Sequence, residues 1–151
     1  MRRDLKLEDV ADLFEKPTRL ATLATHRADG TVLLSPVGFL WEDGGFSVGS
    51  YAGAFFVRHI ERDPQVSISV AEEDPPFRGL EIRGRAAILR GDAGAQGMAR
   101  VATHFIGPER ANAYLETLRG TEPVLVRVEP GVLRVWDLAD QPAITGMPKR
   151  D

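Results

Sequence analysis

Cysteine is missing from all 151 residues. Its absence excludes disulfide frameworks, thiolate nucleophiles and cysteine-ligated zinc or iron–sulfur sites together. Long apolar runs are missing too: no stretch approaches the roughly 18–20 residues that a membrane span requires. Met1-Arg2-Arg3-Asp4 leads into no signal-peptide apolar segment, so a cytoplasmic chain is the expectation. Charge of one sign is scarce. The formal net charge is −3, too slight for an electrostatically driven nucleic-acid binder. Nor is there a phosphate-loop Gly-Lys-Ser/Thr, a Gly-x-Gly-x-x-Gly run or a Gly-x-Ser-x-Gly elbow. With 43% hydrophobic and 27% charged residues, the chain has the composition and length of one globular domain.

The periodicities that are present predict strands with a few helices. Leu7, Val10, Leu13 and Phe14 fall at helical spacing before Pro17. A strand from Arg19 to Thr25 leads through a turn at Ala28-Asp29-Gly30 to a long strand from Thr31 to Glu42. A second turn at Glu42-Asp43-Gly44-Gly45 opens a strand over Phe46–Ser50, and a short helix lies between Ala52 and Arg62. Val66, Ile68 and Val70 alternate with serines; Leu80, Ile82, Gly84, Ala86 and Ile88 form one face of a long strand, with Glu81, Arg83 and Arg85 opposite. Helices return from about Asp92 to Leu118, broken at Gly107-Pro108. Two last strands, Val124–Val128 and Val132–Trp136, join at Pro130-Gly131. About seven strands linked by tight turns predict antiparallel pairing and closure into a barrel.

Both faces of the Thr31–Glu42 strand are apolar: Val32, Leu34, Pro36, Gly38 and Leu40 on one, Leu33, Val37, Phe39 and Trp41 on the other. Both need cover, and so short a chain has little left for the second face except helices or another copy of itself. A homodimer with this strand near the interface is the expectation.

Metal chemistry has little support. His26, His59 and His104 show no converging spacing, and His59-Ile60-Glu61 lacks the paired cysteines of a zinc deaminase signature. Glu72-Glu73-Asp74-Pro75-Pro76 reads as a solvated acidic loop or a cation loop. At Gly49-Ser50-Tyr51-Ala52-Gly53 a strand end passes into a helix whose N-terminus offers unpaired amides, with Arg58 and Arg62 nearby. Such a corner suits an anion, and it equally suits a glycine-eased turn with solvent-facing arginines.

Thr22-Leu23-Ala24-Thr25, Asp29-Gly30-Thr31, Ser35-Pro36-Val37, Arg58 to Pro64 and Glu81-Ile82-Arg83-Gly84-Arg85-Ala86, in that order, resemble the pyridoxamine 5′-phosphate oxidase-like flavoproteins. The likeness runs from about Thr18 to Asp137 and is greatest to the actinobacterial flavin- and deazaflavin-dependent oxidoreductases. It implies a mainly β fold with short helices, a split β-barrel, and a homodimer with two cofactor sites between the subunits. In those terms residues 1–151 form one domain: a helix over 1–17, a barrel over 18–138 with a helical insert at about 92–118, and a tail over 139–151.

The resemblance further implies FMN or the deazaflavin coenzyme F-420 as cofactor, hydride transfer to a small or planar conjugated substrate, and tetrapyrrole ligands in some members. Ser35, Pro36, Val37 and Gly38 correspond to the strand along the cofactor ring, and Ser50 and Tyr51 with the following helix to the seat of the ribityl phosphate. Arg83 and Trp136 stand where the partner subunit completes the pocket. Arg58 matches the helix motif, whereas Phe56 occupies the usual lysine position and His59 the usual asparagine position. A phenylalanine cannot neutralise a phosphate, and a lost charge-assisted hydrogen bond weakens binding by roughly 1.5–3 kcal/mol. The alternative on the same fold is a non-catalytic protein that binds or carries a flavin or haem. No side chain stands out as catalytic: the cofactor carries the chemistry.

Overall fold

The computed structural model describes residues 4–150. Met1 to Arg3, read above for a leader, and Asp151 lie outside them. Leu7–Phe14 forms a 3₁₀ helix. Leu7, Val10 and Leu13 recur every three residues, the period of that helix, and Val10, Leu13 and Phe14 are buried. Eight strands follow, β1 (Ala21–His26), β2 (Val32–Val37), β3 (Leu40–Glu42), β4 (Gly45–Tyr51), β5 (Gln65–Ala71), β6 (Gly79–Leu89), β7 (Pro123–Val128) and β8 (Val132–Trp136). Helix α1 (Phe55–Arg62) lies between β4 and β5, and α2 (Gly91–Ile106) and α3 (Pro108–Thr117) between β6 and β7. Among the described residues, no helix is long and apolar enough to cross a membrane.

The strands curl into one antiparallel sheet in the order β2-β1-β5-β6-β7-β4-β3, with β8 also on β6. The Asp29-Gly30 turn sets the β1–β2 register, pairing His26 with Val32 and Ala21 with Val37. Gly30 has φ 86°, and the Asp29 carboxylate accepts both the backbone N–H and the hydroxyl of Thr31. Residues Gly79 to Arg85 of β6 pair with β5, and Ala86 to Leu89 with β7, so this long strand ties the two halves together.

Two expectations fail for the same reason. The single strand from Thr31 to Glu42 is β2 and β3, one at each edge of the sheet. At Gly38 and Phe39 the chain steps across, and Phe39 drives its ring into the core at 2% exposure. Pro36 donates no N–H, which an edge strand tolerates. Likewise β7 and β8 do not pair with each other but lie end to end along β6. Pro130-Gly131 steps over Gly84 instead of reversing direction, because Gly131 sits directly against the Arg83 carbonyl. Alternation reports which way a side chain points and cannot tell a strand that continues from one that steps sideways.

The core fills the curl. Leu23, Val48, Ile68, Leu80, Ile82 and Val124 are almost fully buried. Phe14 stacks on Trp41 with centroids 4.4 Å apart and meets Phe39 and Phe46 edge-on. Helix α1 sends Val57 and Ile60 into this core. Helix α2 lies on the outside of β4 and β7, and α3 packs on α2. Helix α2 comes close because it presents Gly94 and Gly97 there: a side chain at Gly94 would meet the Leu89 carbonyl at 2.5 Å.

Candidate functional site

The curled sheet stays open between its two edges. A cavity of about 360 Å³ sits at this seam, lined by Gly38, Gly49, Met98, Val101, Ala102, Phe105, Ile106 and Tyr114. Phe46 and Val48 of β4 are core residues, so Gly49 points the other way, under α2. Both glycines permit close approach. A side chain at Gly38 would stand 3.1 Å from the Phe105 ring, and one at Gly49 would collide with the Met98 sulfur. The side chains of its walls are apolar apart from that of Tyr114. Dimensions and polarity suit a planar ring held by contact area, with few directed hydrogen bonds.

Sequence reasoning placed Gly38 here and missed the opposite wall. Met98, Val101, Ala102, Phe105 and Tyr114 read as helix faces packed on a core, which they are. The available signal was glycine: Gly38 and Gly49 each stand where a strand would ordinarily carry a side chain.

One residue beyond Gly49, Ser50 is 6% exposed. Tyr51 is 41% and Phe55 75% exposed, so aromatic rings frame the corner where α1 begins. Phe56 packs against the core, and Arg58 and Arg62 are the exposed cations of this helix. The first-turn amides of α1 lack a side-chain cap. The residues fit the ring of a flavin-type cofactor at the seam better than they fit its phosphate at this corner.

His59 faces inward. Its Nδ1 shares a hydrogen bond of 3.0 Å with the hydroxyl of Thr25, which is fully buried. Desolvation, with Arg62 and Arg27 nearby, holds the imidazole below its ordinary 6.5. It is therefore neutral around pH 7 and adds no charge to the anion corner.

The remaining predicted residues divide between the two sides of the sheet. By the β1–β2 register, Ser35 and Val37 lie opposite Leu23 and Ala21, on the core side. Pro36, Leu34 and Val32 turn outward beside Thr22, Ala24 and His26. On this outer face of β2-β1-β5-β6-β8 lie Arg83 and Trp136 as well. They are not neighbours: Trp136 pairs with Gly79 and Arg83 with Val132, four residues along β6. Arg134 lies over the Trp136 ring at 5.0 Å and donates to Glu81.

The acidic loop is committed to structure. Arg78 donates to both Glu72 oxygens at 2.9 Å and reaches Asp12 at 2.7 Å. Burial alone would raise Glu72, but the Arg78 hydrogen bonds outweigh it and hold the carboxyl below its ordinary 4.5. Among the described residues, no group of three or more histidine or acidic side chains could hold a metal ion.

The sequence profile described as pyridoxamine 5′-phosphate oxidase matches residues 7–122. No curated protein matches the sequence. Among solved structures, a conserved hypothetical protein from Mycobacterium tuberculosis is similar, at 24% identity and TM-score 0.74, over 100% of this chain and 95% of that one. An F420 reductase shares 26% identity with TM-score 0.64 over 82% of this chain and 94% of its own. HutZ, the haem storage protein from Vibrio cholerae, shares 24% identity with TM-score 0.63 over 87% and 95%. The profile spans most of the chain, and the open curl of antiparallel strands is the fold of those structures; the chain belongs to the pyridoxamine 5′-phosphate oxidase family.

Proposed function

We propose that this chain is an oxidoreductase that binds FMN or the deazaflavin coenzyme F-420 between two copies of itself and passes hydride to a small or planar conjugated substrate. The observation that carries the reading is the apolar cavity of about 360 Å³ at the open seam. The chemistry such a cofactor supplies when bound is hydride transfer from its central ring. The chain's own part is to orient and to exclude water: Gly38 and Gly49 let a flat ring lie close to the backbone, and Met98, Val101 and Phe105 keep the wall dry. Ser35, Pro36, Val37, Ser50, Tyr51, Arg58 and His59 are the residues assigned to the cofactor on one copy, and Arg83 and Trp136 are the contributions assigned to the other. The likeness to an F420 reductase, at 26% identity, supports the deazaflavin. The aromatic corner weakens the case for FMN, because Phe56 packs against the core where a lysine would meet phosphate.

That same corner favours a second reading, a flavin or haem carrier without turnover. Fluorescence titration of the full chain with FMN and F-420 tests the first. Saturable binding below tens of micromolar is expected for one of them, and Ala102→Phe, which fills the cavity, abolishes it. Failure of both to bind overturns the proposal. Oxidation of the bound reduced cofactor by added menadione, faster than of the free cofactor, separates an enzyme from a carrier.

A further inference from the structure

A second concavity, of about 430 Å³, opens on the outer face of the sheet away from the seam cavity, lined by His26, Gln65, Ser67, Arg83, Arg85 and neighbouring backbone. Its floor follows from register. Arg83 pairs with Ser67 and Arg85 with Gln65 across β5–β6, and His26 lies in the next strand beyond Ala24, which pairs with Ser67. Arg83 and Arg85 are two residues apart on one strand face, so their Cα atoms are about 6.6 Å apart. Ser67 and Gly84 beside them carry little side-chain bulk, which leaves room for the hollow.

The charge there is uncompensated. Arg127 and Arg134, the other strand arginines, each hold a glutamate. Among the described residues Arg83 and Arg85 form no ion pair, and no carboxylate lines the concavity. Glu81, next on the same face, is taken by Arg134. Arg62 adds positive charge at the rim, where its guanidinium donates to the His26 carbonyl. In a chain of net charge −3 this patch is locally cationic, with a serine hydroxyl and a glutamine amide beside two planar forks. That donor set matches a phosphate group, which guanidinium binds through paired N–H donors.

We infer that the Arg83–Arg85 concavity is a binding site for a phosphate-bearing small molecule. The site is defined by this chain's own side chains and holds whether or not a flavin binds at the seam. The phosphate belongs either to the proposed cofactor, replacing the α1 corner as its seat, or to a separate ligand.

Calorimetric titration of the full chain with inorganic pyrophosphate tests it. The wild type is expected to bind with an affinity that falls as salt rises. Arg83→Gln with Arg85→Gln weakens binding by about tenfold or more per arginine, Arg83→Lys with Arg85→Lys recovers part of it, and Arg110→Gln, at an exposed position of α3, changes nothing. An unchanged thermal midpoint in these exposed-residue variants shows that folding is intact. No wild-type binding at millimolar pyrophosphate overturns the site, as does binding by the double glutamine variant at wild-type strength. Comparing FMN with riboflavin identifies the source. A preference for FMN that disappears in the double glutamine variant assigns the concavity to the cofactor phosphate. Pyrophosphate binding without any flavin binding supports the site and removes the cofactor reading alone.

Discussion

Thr25 and His59 come from a strand and a helix 34 residues apart and meet inside the barrel mouth. Their shared hydrogen bond is a polar fastening on the inward side of α1, where Val57 and Ile60 are apolar. Thr25→Val keeps the volume but leaves the imidazole nitrogen unpaired, and a loss of about 1–2 kcal/mol in urea unfolding is expected. The same pair sets a pH dependence. Because folding lowers the His59 pKa from its ordinary 6.5, the unfolded chain takes up the proton more readily between the depressed value and 6.5. Stability is therefore full above 6.5 and falls as pH drops below it. Unfolding midpoints measured from above 6.5 down to about 5 show this slope, and His59→Gln flattens it. Asparagine, the residue usual at this position in the resembling family, would titrate nowhere in that range.

At the scale of elements, the N-terminal 3₁₀ helix is held from both sides. Phe14 and Leu13 dock into the core, and Asp12 is gripped by Arg78, which stands at the start of β6 and also binds Glu72. The Glu72 side chain is only 8% exposed, so removing the Arg78 guanidinium leaves a poorly hydrated carboxylate held by the backbone N–H of residue 78 alone. Arg78→Ala is expected to cost about 2–3 kcal/mol and to raise amide exchange across Leu7–Phe14. Arg78 keeps Glu72 below its ordinary 4.5. The wild-type contribution is thus complete above 4.5 and is lost as pH falls through the lowered value. The variant, left with the backbone bond of residue 78, shows a smaller acid-dependent loss. Chemical denaturation across that range distinguishes the two.

For the whole molecule, the uncovered surface is one face. Helix α2, with α3 packed on it, covers the outside of β4 and β7, whereas the outer side of β2 shows Leu34 at 64% and Val32 at 46% exposure, with Leu20 at 51% nearby. Thr22 and Ala24 beside them are small enough for a second sheet to approach closely. The proposed homodimer places this face against its copy. Light scattering is expected to report a dimer for the wild type and a single chain for Leu34→Glu, which buries a charge in the contact. A monomeric wild type, or a Leu34→Glu dimer, removes the interface and the shared cofactor position with it.

Strand and helix identity was legible in the residues because it rests on local chemistry: alternation at Val66–Val70, the Asp29-Gly30 turn, the break at Gly107-Pro108. The likeness to the pyridoxamine 5′-phosphate oxidase family was legible for the same reason, in short motifs kept in order. The tertiary structure alone decided that Thr31–Glu42 steps from one edge of the sheet to the other, and that β7 and β8 share β6. It also decided that Phe105 and Met98 close a cavity over Gly38 and Gly49, and that His59 turns inward to Thr25. Each of these joins residues far apart in the chain. Which of several apolar faces meets which is set by the volume they fill together, a quantity no local run of residues contains.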